Sequence, residues 1–110
     1  MSLDTLEVEV HLIIRNKETQ AHAPAFGRGI ARLCEGVESN KACKEMGMAY
    51  SKAWKIMHNT EESLGFALLE RQGARGSVLT QEAKMLLQAF RETEKVLKEA
   101  GEEALSSVLF

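Results

Sequence analysis

The last thirty residues constrain the fold of this chain most. From Thr80 to Leu109 the apolar residues Ala83, Leu86, Leu87, Phe90, Leu97, Ala104, Leu105 and Val108 recur at helical spacing, interrupted at Thr93 and Glu94. Thr80 stands where its hydroxyl can cap such a helix. A helix of that length runs about 45 Å, longer than the ~30 Å across a small domain. Its distal half must pack on something outside its own domain, fray, or fold back near Gly101. A second copy of the chain is the favoured partner for that half.

The remaining residues make one domain. A chain of 110 residues supports a single core and buries roughly two-thirds of its unfolded surface without staples. Cys34 and Cys43 are too few for a disulfide framework and sit at helix-type apolar positions, as small core residues of a reducing compartment do. His11, His22 and His58 have no ligand spacing to the cysteines, so no metal site and no cofactor is expected. No apolar run approaches the ~18 residues of a membrane span. The first residues lack the charged region, apolar stretch and cleavage site of a secretion signal. A cytoplasmic protein is expected. The net charge of −2 hides an uneven distribution. Between Asn40 and His58, Lys41, Lys44, Lys52 and Lys55 face only Glu45, while Asp4, Glu7, Glu9 and six glutamates after Thr80 lie elsewhere.

Leu6, Val8, Val10, Leu12 and Ile14 alternate with Glu7, Glu9, His11, Ile13 and Arg15, the period-two pattern of a strand with one buried face. His11 falls on the polar side. Residues 16–25 are polar, contain Pro24 and read as a loop. After Phe26-Gly27-Arg28-Gly29, the residues Ile30, Leu33, Cys34 and Val37 make one helical stripe. Asn40 can cap a next short helix that buries Ala42, Cys43 and Met46, and Gly47 can take the left-handed conformation of a sharp turn. A further helix, about Tyr50 to Leu64, buries Ala53, Trp54, Met57 and Leu64, leaves Ser51, Lys52, Lys55 and His58 on the other side, and ends at Gly65. This is helix-turn-helix grammar, and a second helix opening with small, polar and cationic residues suits entry into a DNA major groove. Extended runs at 67–72 and 77–80 around Gly73-Ala74-Arg75-Gly76 predict a hairpin, which after a helix-turn-helix is a wing.

The predicted fold is mostly α with a small β component: a winged helix-turn-helix with an N-terminal strand and a long C-terminal dimerisation helix. We expect a single domain over 1–110, with the helix-turn-helix at about 40–65, the wing at about 67–80 and the long helix at about 80–109. More specifically, Phe26-Gly27-Arg28-Gly29, Gly47-Met48-Ala49-Tyr50-Ser51-Lys52-Ala53-Trp54-Lys55, Leu68-Leu69-Glu70-Arg71 and Leu79-Thr80 resemble the N-terminal DNA-binding domain of the molybdate-responsive regulator ModE. The Leu-Thr opening is shared with LysR-type regulators. The resemblance implies a dimeric transcription factor on double-stranded DNA, its recognition helix in the major groove and its dimer built from the N-terminal strand and long helix. By position, Tyr50, Ser51, Lys52 and Lys55 are the recognition-helix contacts, Lys41 adds a cation beside them, and Arg71 and Arg75 belong to the wing. Val8, Val10, Leu86, Phe90, Leu97 and Leu105 are the expected dimer contacts. The chain departs from the ModE pattern at Arg28, often Pro there, at Cys43, and at Ala49, where Ser would cap the recognition helix. The wing tip is shorter than in ModE. No molybdate-binding module is seen after Phe110, so no molybdate site is expected.

Other readings weigh against each signal. Lys52 and Lys55 could be solvated surface, and a lysine that does meet DNA suits a phosphate more than a base. Trp54 has the spacing of a core residue, and Arg71 could pair with Glu70 or Glu61. Arg75, between glycines, suits a narrow minor groove. A winged helix reused as a protein-interaction module is the alternative. An enzyme is not expected, since no nucleophile-base-orienter set, carboxylate pair or phosphate loop can be assembled.

Overall fold

In a computed structural model the residues described are 3–19, 25–39, 50–72 and 76–110. The architecture is mostly helical with one small antiparallel sheet and a long C-terminal helix, in a winged-helix arrangement. Helix α1 spans Arg28–Ser39 and α2 spans Tyr50–Leu64. Strands β1, Leu69–Arg71, and β2, Ser77–Leu79, form the hairpin, and α3 runs Gln81–Leu109. The short helix expected after Asn40, its turn at Gly47, Pro24 and the hairpin tip 73–75 lie outside the described residues.

The core forms where the apolar stripes of the three helices meet. Ile30, Ala31, Leu33 and Cys34 of α1 pack with Ala53, Met57 and Leu64 of α2, Leu68 and Leu79 at the hairpin root, and Ala83, Leu87 and Phe90 of α3. Phe26 is fully buried just ahead of α1, its ring edge-on to Phe90 at 5.4 Å, an arrangement aromatic quadrupoles favour. Phe90, expected at a dimer contact, is therefore part of the chain's own core. Leu86 is half-buried against the same cluster.

Helix α3 starts as expected. Thr80 is extended, its Oγ1 accepts from the Ala83 amide at 3.1 Å, and the same hydroxyl donates to the Ala67 carbonyl at 2.7 Å. One side chain thus caps α3 and ties it to the hairpin root. Of the alternatives for the distal half, fold-back is excluded, since α3 continues through Gly101 to Leu109.

The N-terminal segment lies extended along this helix. Its alternation holds from Val8 on: Val8, Val10, Leu12 and Ile14 are half-buried and the residues between them exposed, whereas Leu6, expected on the buried face, is exposed. Among the described residues it joins a partner backbone at one bridge, Ile14 to Phe26, with hydrogen bonds of 2.8 and 3.0 Å. It is therefore an extended chain laid on a helix, where the sequence reading expects a strand. A helix surface offers no free backbone groups for a ladder, so side chains and single bonds hold the segment. The Val8 amide donates to Glu102 Oε1 at 2.8 Å, and Val8 sits where a side chain at Gly101 would be, 2.9 Å from the position of a Cβ there. Arg28 Nη2 reaches the Val10 carbonyl at 3.3 Å and Glu94 at 3.4 Å.

Candidate nucleic-acid interface

Helix α2 has two faces. Inward, Ala53, Met57, Thr60, Ser63 and Leu64 are buried. The two hydroxyls bond back into their own helix, Thr60 Oγ1 to the Ile56 carbonyl at 2.9 Å and Ser63 Oγ to the Asn59 carbonyl at 3.4 Å. This satisfies polar groups that burial would otherwise penalise. Outward, Lys52, Lys55, His58 and Asn59 are exposed. Among the described residues no carboxylate pairs with Lys52 or Lys55, so both charges face solvent from the first two turns. Tyr50 and Ser51 begin the helix. Lys41 and Arg75 lie outside the described residues.

The C-terminus of α2 is closed from two sides. Gly65 has φ of 87° and donates its amide to the Glu61 carbonyl at 2.9 Å, the left-handed stop that glycine adopts freely. The turn at Asn16 supplies the second closure. Asn16 Nδ2 donates to the Leu64 carbonyl at 2.6 Å and Thr19 Oγ1 to the Ser63 carbonyl at 2.7 Å. Asn16 Oδ1 meanwhile accepts from the Glu18 amide at 2.9 Å. The first residues of the segment read as a polar loop, Asn16 to Thr19, thus cap a helix from far away in sequence, and local pattern carries no signal for it.

The hairpin follows directly. Leu69 pairs with Leu79, Glu70 with Val78 and Arg71 with Ser77. Gln72 donates to the Gly76 carbonyl at 2.8 Å, and Gly76 has φ of 85°. Glu61 joins this hairpin to α2. Its Oε2 accepts from the Leu68 and Leu69 amides at 2.6 and 3.0 Å, and its Oε1 lies 2.8 Å from His58 Nδ1. Only 13% of its side chain is exposed. Arg71, weighed above against a pair with Glu61, instead lies over the Trp54 ring, 5.3 Å from its centroid. Trp54 is half-buried, not a full core residue, and its ring is 5.0 Å from that of His58. The sequence offers Glu61 only as a pair for Arg71, not as the tie between α2 and the hairpin; the spacing of His58 and Glu61, three apart on one helix face, is the signal for it.

The arrangement presents two exposed lysines on one helix and an arginine on the adjacent hairpin, with Glu61 bound to the hairpin amides and Glu62 and Glu70 exposed. On the far side, Arg91 pairs with Glu35 at 3.2 Å and Arg28 with Glu94. Of the expected dimer contacts, Val8, Val10 and Leu105 are half-buried and Leu97 is 43% exposed. Among the described residues no group of three or more side chains is placed to hold a metal ion, and no helix is long and apolar enough to cross a membrane.

Residues 28–84, from the first turn of α1 into the first turn of α3, match the family described as bacterial regulatory helix-turn-helix protein, lysR family. No curated protein matches the chain.

Proposed function

The chain belongs to the bacterial regulatory helix-turn-helix protein, lysR family, a family of DNA-binding transcription regulators, and on that premise we propose that it acts as a cytoplasmic homodimer of the ModE N-terminal-domain type. Residues 1–110 form one winged helix-turn-helix domain in this reading, with α2 as recognition helix and the hairpin as wing. The observation that carries it is the pair of solvent-facing lysines, Lys52 and Lys55, on α2 within the matched region. Tyr50, Ser51, Lys52 and Lys55 contact the major groove, Lys41 a neighbouring phosphate, and Arg71 and Arg75 act from the wing. Lysines serve as phosphate contacts, since a point charge finds a phosphate without the planar match a base edge asks for. The ModE type rests on the Tyr50-to-Lys55 segment and on the order of elements.

The dimer rests on α3. Its stripe continues past Phe90 through Leu97, Leu105 and Val108, and Leu97 and Val108 stay 43% and 84% exposed. Two recognition helices about a two-fold axis reach half-sites about 34 Å apart.

Selection from a random double-stranded DNA pool at about 100 mM salt, where phosphate contacts still contribute, tests the reading. Enrichment of a palindrome with half-sites one turn apart is expected. If folded protein enriches nothing, the reading fails. About four phosphate contacts per subunit should also give a slope of log affinity against log salt near −7.

A further inference from the structure

We propose that Arg71 and Trp54 together position the wing. The guanidinium over the indole holds β1 at a set angle to α2, and this angle decides whether the wing's cationic groups meet the DNA backbone. The inference rests on the DNA-binding reading above and adds a positioning role to residues that reading treats as a phosphate contact and a packing residue.

Strand β1 is three residues long and, among the described residues, pairs with β2 alone. The hairpin root is held in the core by Leu68 and Leu79, with β2 packed against α1 and α3. Two contacts tie β1 directly to α2. At the root, Glu61 receives the Leu68 and Leu69 amides. Farther out, Arg71 lies over Trp54. Leu69 and Arg71 are two residues apart, roughly 7 Å along an extended strand. Trp54 and Glu61 are seven apart on α2, two turns or about 10 Å on one face. The Arg71 contact extends the hold on β1 outward from the root. His58 links the anchors, with Nδ1 at 2.8 Å from Glu61 and its ring beside that of Trp54. The row Trp54, His58, Glu61 thus forms a continuous seat under the hairpin. A planar guanidinium suits such a seat, because it combines cation–π attraction with face-to-face contact.

The chain's single tryptophan makes the contact observable without DNA. In the purified protein, Arg71→Gln should raise acrylamide quenching of Trp54 about two-fold; unchanged quenching would overturn the contact. Binding to a mixed-sequence 30-base-pair duplex across a salt series then tests the role. Trp54→Leu removes no charge, yet it should reduce the salt slope by about 0.9 for each phosphate contact the wing loses, as Arg71→Gln does. Trp54→Phe keeps an aromatic face and should restore the wild-type slope. The double variant Arg71→Gln with Trp54→Leu should lose no more than the worse single variant. A wild-type slope in folded Trp54→Leu, or additive losses in the double variant, would overturn the proposal. If Trp54→Leu fails to fold by circular dichroism, Trp54→Phe with and without Arg71→Gln decides: equal slopes would overturn it. Wild-type protein that binds no duplex would remove the DNA reading and this role together, whatever the quenching shows.

Discussion

At the scale of single residues, the division of labour follows exposure. Lys52 and Lys55 point to solvent, whereas Glu61 is engaged by two backbone amides and a histidine. Lys52→Glu is expected to weaken binding to all DNA sequences by at least ten-fold while leaving the melting temperature within about 2 °C, since exposed substitutions rarely alter stability; wild-type affinity on a gel shift would take Lys52 out of the interface. Cys34 behaves oppositely. It is fully buried, and burial, then Glu38 and Glu35, push its thiol from 9.0 up to about 12. The folded state thus holds the thiol proton at pH values where the unfolded chain releases it. The stabilisation is present in full below about pH 9 and is lost as pH rises toward 12. Chemical denaturation at pH 8 and pH 10.5 should show a fall in stability, and Cys34→Ala should reduce that fall. An equal fall in the variant would assign it to other groups.

At the scale of elements, the long helix and the N-terminal segment test each other. Alanine at Gly101 would favour helix by about 1 kcal/mol, but a Cβ there meets Val8 Cγ1 at 2.9 Å. Beside Gly101 the segment is held by the bond from Val8 to Glu102, with Val10 to Arg28 and the Ile14–Phe26 bridge farther along. Gly101→Ala should therefore displace it, seen as faster hydrogen exchange at the Val8 amide, and Val8→Ala in the same protein should restore protection. Unchanged exchange in Gly101→Ala would mean that Val8 yields without releasing the segment. The alternating pattern of residues 8–14 was legible as one half-covered face. What covers it was not, because period-two alternation reports a buried side and not whether a strand or a helix buries it.

At the scale of the whole molecule, α3 outruns its own core. Its last buried residue is Phe90, and the molecule extends 57 Å in one direction against 33 and 22 Å in the others. A dimer built on the exposed stripe predicts that Leu97→Glu yields monomers in sedimentation velocity while the domain keeps its helical signal, because Leu97 lies outside the core. Palindrome binding should then weaken more than single half-site binding. A stable dimer of Leu97→Glu would move the interface elsewhere.

Sequence alone determined what local rules govern. Helical spacing marked α1, α2 and α3, the glycine stop at Gly65 marked the end of α2, the Gly-rich tip marked the hairpin, and Thr80 was legible as a cap because capping uses neighbours in the chain. Exposure of Lys52 and Lys55 also followed from helix periodicity. Tertiary structure decided the contacts that join distant segments. Phe90 went to Phe26 instead of a partner because the aromatic plug needed a cover. Asn16 and Thr19 closed α2 from some 45 residues away. Glu61 and Trp54 took opposite ends of the hairpin. Each of these contacts depends on where folded elements meet in space, and no local periodicity encodes that.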